Sequence, residues 1–285
     1  MHTVTKKEII GVAREFIQSD VRNRFDAIDG RYFDEPIVGF VSSEDALFAQ
    51  YKELIHPDYL TPAEAFERVY NRDSLRGGSV ISVALPLNEK MRNTNRDVRP
   101  WVSDEYALFR SFGADQVPEG LAAHLAQKLR DAGYRAVVPP LTDGFKVEIK
   151  DRNAYSTWSE RHTAFAAGLG TFSLNEGLIT ERGMSVRLCS VVTELVLEPT
   201  PRTATNFFEN CLFLNGGACG VCIRKCPVGA LSERGHNKKK CYEYCYGTAS
   251  RERAVALGGY AEAGAGCGMC QLDVPCERRN PKKKA

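Results

Sequence analysis

The chain has 285 residues, 43% of them hydrophobic and 26% charged, with a formal net charge of +2. That length holds one large domain plus a small appendage, the composition is that of an ordinary soluble fold, and no apolar run is long enough to cross a bilayer. The charge is too small to mark a nucleic-acid surface. The basic runs Lys238-Lys-Lys240 and Arg278-Arg279 with Lys282-Lys-Lys284 read as solvated tails, unless an RNA substrate gives them a role.

The first seven residues lead into no signal-peptide stretch, so a cytoplasmic protein is expected. Thr5-Lys-Lys-Glu8 is a capping box ahead of Ile9, Ile10, Ala13, Phe16 and Ile17, which fall on one helical stripe. Thr61-Pro62-Ala-Glu64 repeats the device ahead of Ala65, Phe66 and Val69. The run 79–85, closed by Pro86, is apolar enough for a central strand. Between Pro118 and Gly133, Leu121, Leu125 and Leu129 recur every four residues and predict a helix that the glycine stops. A strand is expected over 135–138, closed by Pro139-Pro140, and another over 185–197 with Cys189 as a buried thiol. Helices and strands mixed in this way before residue 200 predict an α+β or α/β layer domain.

In the middle, Ser159-Glu-Arg161 leads into A-G-L-G (167–170), then a segment ending in G-L-I-T (177–180), a turn at Gly183, and V-R-L (186–188). Thr157 and Glu160 are spaced for a capping box and Gly168 for a helix stop. A dinucleotide fingerprint does not fit. Its third glycine would fall at Ser173, and the motif follows a helix instead of a strand.

Nine of the ten cysteines lie between Cys211 and Cys276. Cys211, Cys219, Cys222, Cys226 and Pro227 approximate the bacterial ferredoxin run, whose fourth cysteine serves the other cluster. A second group follows, with Cys241, the pair Cys267 and Cys270, and Cys276. Crossed ligation assigns one 4Fe-4S cluster to Cys211, Cys219, Cys222 and Cys276, and the other to Cys226, Cys241, Cys267 and Cys270. The widened first gap contains Asn215-Gly-Gly217, read as an inserted turn. Pro275 precedes Cys276 instead of following it, and Cys245, four residues after Cys241, is an alternative to it. Disulfides and zinc are the competing readings. The first wants an oxidising compartment, and the second needs neither the C-P ending nor eight interlocked ligands. A glycine-rich segment over 246–266, with a short helix at 250–257, interrupts the second group and is expected to ride over a cluster.

The middle motif with the double cysteine module behind it resembles the family of epoxyqueuosine reductases and reductive dehalogenases, from about Val80 through Cys276. The resemblance implies a nitroreductase-like corrinoid-binding α/β domain over 1–200, followed by a ferredoxin-like module with two 4Fe-4S clusters over 201–285. It implies cobalamin as cofactor, an external ferredoxin or flavodoxin as electron donor, and a tRNA nucleoside or a small organic molecule as substrate. Arg161, Gly168, Gly170 and Ser173 fall in the segment expected to meet the cofactor. The chain departs from the family at one decisive point. Aligning Glu160-Arg161 with the reductases' P-x-x-E-R segment puts Ala154 where they carry an aspartate acid. Tyr155 and Asp151 are the nearest substitutes, and a tyrosine acid would gain from a neighbouring cation such as Arg152 or Arg161. The alternative function is an electron-transfer protein whose large domain docks a partner or binds flavin; a cluster-based sensor is a third.

Overall fold

The computed structural model describes residues 3–72, 75–96, 100–150 and 153–283. Helix α1 (Lys6–Ser19) starts on the Thr5 and Glu8 capping box and buries Ile9, Ala13, Phe16 and Ile17. A short ribbon of β1 (Arg24–Phe25) and β2 (Gly30–Arg31) precedes β3 (Ile37–Ser42), α2 (Ala46–Leu54) and α3 (Pro62–Glu67). The second capping box forms at Thr61 and Glu64 as expected, but α3 ends at Glu67, so Val69 lies beyond it and is exposed. Then come β4 (Ser79–Pro86), α4 (Glu89–Thr94), α5 (Asp104–Phe112), α6 (Gln116–Asp131) and β5 (Ala136–Val137). The leucine stripe of α6 is buried, and Gly133, at φ +91°, follows its end. The strand expected over 135–138 shrinks to two residues because Pro139 and Pro140 open a 3-10 turn.

A hairpin of β6 (Val147–Lys150) and β7 (Asn153–Ser156) leads to α7 (Glu160–Ala166), a second hairpin of β8 (Gly170–Phe172) and β9 (Leu178–Thr180), and β10 (Val186–Thr193). Gly168 ends α7 at φ +74°, but the Thr157 and Glu160 capping box does not form. Thr157 instead donates its hydroxyl to the Gly144 carbonyl and accepts from the Lys146 amide, while Glu160 turns inward to Ser190.

The main sheet runs β3-β4-β10-β5 with antiparallel pairing, placing Cys189 opposite Val83 and Val191 opposite Ile81. Alternate side chains face opposite sides. Ile81, Val83, Leu85, Cys189 and Val191 share one core with residues of α1, α5 and α6, while Val80, Ala84 and Val192 share another with α2, α3 and α7. The result is a sheet between two helical layers. Burial of every residue of β4 explains why its sequence is continuously apolar instead of alternating.

The remaining elements are α8 (Val221–Lys225), the ribbon β11 (Leu231–Ser232) and β12 (Gly235–His236), α9 (Lys238–Tyr246) and α10 (Thr248–Ala256). This cysteine-bearing part is fastened to the layers. Ala265, Met269 and Leu272 enter the first core, and Val274 and Cys211 pack with Leu174, Ile179 and Met184. At Gly183 (φ +86°) a Cβ would come within 2.2 Å of the Glu277 carbonyl, so only glycine allows this approach. No helix among the described residues is long and apolar enough to cross a membrane.

Candidate functional site

Cys211, Cys219, Cys222 and Cys276 line one cavity together with Leu174, Met184 and Val274. The widened gap is a turn: Gly217 donates to the Leu212 carbonyl, and the Asn215 amide donates to the carbonyls of Glu209 and Cys211. Gly220, left-handed at φ +63°, starts α8 and brings Cys222 round toward Cys219. Cys276 is held from the other side. Met184 donates its amide to the Cys276 carbonyl at 2.8 Å, and the two sulfurs stand 3.3 Å apart. Burial first, then the thiols of Cys211 and Cys219, push Cys222 up to about 11; burial, then Cys222, Cys211 and Cys219, push Cys276 up to about 12.

Cys222 and Cys276, enclosed beside further thiols, resist ionisation unless a positive centre sits among them. An iron-sulfur cubane supplies that centre and takes four thiolates, so this donor set fits one. Among the described residues no three His, Cys, Asp or Glu side chains converge to hold a single metal ion. A cubane carries its thiolates at separate corners and asks for no such convergence.

The second set gathers where α8, α9 and the segment 266–271 meet. Cys226 caps α8, and its sulfur accepts the Ala230 amide at 3.1 Å. Cys270 is half-buried, and desolvation, with Cys267, Cys241, Cys222 and Cys226 adding to it, pushes its thiol far up. The two sets are therefore neighbours, joined through Cys270, Cys222 and Cys226. Cys267 is placed by Asn95, whose amide donates to its carbonyl at 3.0 Å. Cys241 and Cys245 stand one turn apart on α9, and Cys245 is buried. The pair polarises: the contact with Cys245, followed by that with His236, brings Cys241 down, and contact with Cys241 drives Cys245 up.

The middle motif proves to be a bracket for this set. Ser173 donates its hydroxyl to the Asn175 side-chain oxygen at 2.5 Å, the Gly177 amide donates to the same oxygen at 3.0 Å, and the Asn175 amide group donates to the Cys270 carbonyl at 2.7 Å. Asn175 was not singled out from the sequence, although S-x-N-x-G is a turn signature. Gly170 is needed for the hairpin, since a Cβ there would meet the Ile179 carbonyl at 2.3 Å; at Gly168 it would meet the Pro201 carbonyl at 3.0 Å. Arg161 is exposed and acts on Cys241 through its charge.

Tyr155 lies on β7. Its ring stacks on His56 with centroids 3.8 Å apart, and its hydroxyl donates to Glu148 at 2.6 Å. The expected neighbouring cation is replaced by a carboxylate, because the β6–β7 register sets Glu148 directly opposite Tyr155. The hydrogen bond to Glu148, more than burial, pushes the phenol up to about 12. Asp151 and Arg152 lie outside the described residues. Next to Tyr155, the Ala154 carbonyl accepts from Lys238 at 3.1 Å, and Lys238 also pairs with Glu176 at 3.2 Å. Glu176 further contacts His236 at 3.2 Å. Burial opposes the charge on His236, but Cys241 and Glu176 outweigh it and raise the imidazole to about 9. Lys238 and His236 thus link the hairpin at Ala154 to the second cysteine set, a relationship that the sequence, reading 238–240 as a solvated run, did not signal.

No family model and no curated protein matches the chain. Solved structures do. An epoxyqueuosine reductase from Bacillus subtilis superimposes with a TM-score of 0.52 at 20% identity, over 95% of this chain and 65% of that one. One from Streptococcus thermophilus gives 0.54 at 16% identity, over 98% and 68%. A catabolic reductive dehalogenase gives 0.54 at 15%, over 86% of this chain and 30% of that one. The fold is that of the epoxyqueuosine reductases and reductive dehalogenases. The suspected resemblance and the structural neighbours agree, and the chain spans just under two thirds of the Bacillus subtilis epoxyqueuosine reductase and less than a third of the dehalogenase.

Proposed function

We propose that the chain is an iron-sulfur reductase with one 4Fe-4S cluster on Cys211, Cys219, Cys222 and Cys276, a second on Cys226, Cys241, Cys267 and Cys270, and a corrinoid as the third group. The observation that supports this is the cavity lined jointly by Cys211, Cys219, Cys222 and the distant Cys276, on the fold of epoxyqueuosine reductases and reductive dehalogenases. One such structural neighbour is described as suggesting a mechanism for B12-dependent dehalogenation. When bound, the clusters supply one-electron transfer and the corrinoid supplies strongly reducing chemistry.

The chain's own residues hold the ligands, exclude water and place a proton. Asn175, Asn95 and Met184 hydrogen-bond the backbone of Cys270, Cys267 and Cys276 and so fix those thiols. Lys238 and Arg161 are cations on the hairpin side of the second set, where a corrinoid's amide side chains would find donors. Tyr155 is the proposed acid. Held protonated up to about 12, it keeps its proton at working pH until charge develops beside it. An external ferredoxin or flavodoxin delivers electrons.

The test supplies anaerobic, cluster-loaded protein with cobalamin and a low-potential donor. It then follows reduction of an epoxyqueuosine-bearing tRNA stem loop and of a brominated hydroxybenzoate. Product that requires both cobalamin and iron supports the reading. A second reading, an electron-transfer protein, is favoured by Ala154 and by the engagement of Tyr155 with Glu148. Protein that keeps its clusters, retains no cobalamin and reduces neither substrate establishes that one.

A further inference from the structure

The first cysteine set lies under an open turn. Residues 214–218 are all exposed and lead directly into Cys219, which is half-buried. A Cβ added at Gly216, in the middle of this turn, would meet no atom of the described residues within 4 Å. Leu214 is 40% and Phe208 46% exposed, and the Asn215 amide group, donating to the Phe208 carbonyl at 2.5 Å, ties their two segments together. The Phe208 carbonyl also accepts the Cys211 amide at 2.9 Å. Two large apolar side chains are therefore left in water beside the cavity that Cys211, Cys219, Cys222 and Cys276 line.

Cations border this patch. Arg224 is exposed and donates to the Cys219 carbonyl at 3.3 Å. Pro281 lines the same cavity, and the chain on either side of it is pinned there. The Asn280 side chain donates to that of Asn210, next to Cys211, at 2.8 Å and accepts the Lys282 amide at 3.0 Å. Lys282 and Lys283 are exposed at this point, as are Arg278 and Arg279 shortly after Cys276. Among the described residues none of these cations is in an ion pair, whereas Lys225 is, with Asp273 at 2.5 Å. Of the neighbouring carboxylates, Glu209 is engaged by the amide and hydroxyl of Thr205, and Glu181 accepts the Asn280 amide only through its carbonyl. The basic run that reads as a solvated tail in the sequence thus edges a cysteine cavity, in a chain whose net charge is only +2.

We propose that this surface is where the chain receives its electrons, and that the partner seated on it is a small one-electron carrier protein with an acidic rim. A small apolar centre inside a charged rim suits a transient encounter, in which the rim steers the partner in and the limited contact lets it leave. The exposed charge is positive, so the fitting partner is acidic. RNA also answers to cations, but it wants phosphate contacts, and here Phe208 and Leu214 hold the centre. In each encounter one electron passes from the reduced carrier to the first cluster; the carrier is oxidised, the cluster is reduced, and no bond forms or breaks. The proposal rests on the two-cluster reading and on no assignment of substrate or corrinoid.

The experiment measures binding of an acidic flavodoxin and of an acidic ferredoxin to the anaerobically loaded full chain by calorimetry, at low and at high ionic strength. Wild type is compared with Lys282→Glu/Lys283→Glu, with Leu214→Asp, and with the control Lys7→Glu/Lys128→Glu, which makes the same charge change on α1 and α6. Iron content comes first: wild type without about eight irons per chain would sink the two-cluster reading itself, separately from the docking surface. At low salt the Lys282→Glu/Lys283→Glu protein is expected to bind a carrier about tenfold more weakly than wild type and the control, with the gap closing at high salt. Leu214→Asp weakens binding at both. Iron-loaded wild type that binds neither carrier would overturn the proposal, as would equal losses in the control. So would an RNA stem loop that binds wild type in place of the carriers and is released by the Lys282→Glu/Lys283→Glu change.

Discussion

Asn175 donates a 2.7 Å hydrogen bond to the carbonyl of Cys270, across a sequence separation of 95 residues. The turn between β8 and β9 therefore positions Cys270. Asn175→Ala removes a buried donor and leaves the Cys270 carbonyl unpaired, a loss of roughly 1–3 kcal/mol. The expected outcome is a lower melting temperature and faster loss of iron from the second set under a chelator, with the first set kept. Unchanged iron release would show that Cys270 is positioned by other contacts.

Glu160, at the start of α7, turns its carboxylate inward, with one oxygen accepting from Ser190 at 3.0 Å and the other enclosed without a hydrogen-bond partner. Burial raises its carboxyl to about 7, from an ordinary value of 4.5. A group raised in the folded state binds its proton more tightly there than in the unfolded chain. Its contribution is complete below about 4.5 and is lost as pH rises through about 7. At ~1.4 kcal/mol per unit this is on the order of 3 kcal/mol. Denaturant titrations from pH 4 to pH 8 should show wild-type stability falling relative to Glu160→Gln across that window; parallel profiles would contradict the assignment.

Glu277, next to Cys276, is buried at 4% exposure and faces two guanidiniums of the α4 region, with Arg92 at 3.1 Å and Arg96 at 2.9 Å. It also accepts the Asp273 amide at 2.9 Å. Glu277→Gln leaves the buried Arg92 without its counter-charge and the partly exposed Arg96 without its partner, at a cost of roughly 3–5 kcal/mol. Thermal unfolding checks the size, and a change below about 1 kcal/mol would mean that water reaches the pair.

Tyr155→Phe breaks the bond to Glu148 on a two-stranded hairpin and leaves every cysteine contact in place. Both clusters should remain, as judged by iron content and visible absorption, while the chemical step of substrate reduction slows. Full turnover in this variant would remove Tyr155 from the reaction.

Elements built on local periodicity were legible in advance. The capping box at Thr5, the leucines of α6 and the apolar run of β4 each report their own environment through spacing alone. The cysteine spacing is likewise a local pattern, and the structure places Cys276 in one cavity with Cys211, Cys219 and Cys222, as that spacing leads one to expect. What stayed hidden was the polar wiring between distant segments. Asn175 with Cys270, Lys238 with Ala154 and Glu277 with Arg96 join residues from different parts of the chain, and no local period announces such a pairing. Tyr155 shows the same limit: its partner was set by the β6–β7 register, which placed Glu148 opposite it where a cation was expected. At Glu160, a capping-box spacing lost to an inward hydrogen bond with Ser190.

The most direct test of the account is the iron and cobalt content per chain after anaerobic purification, incubation with cobalamin and removal of unbound cofactor. About eight irons and one cobalt are expected. About four irons, or zinc in place of iron, would contradict the two-cluster assignment, and eight irons without cobalt would leave an electron-transfer protein in place of a corrinoid-dependent reductase.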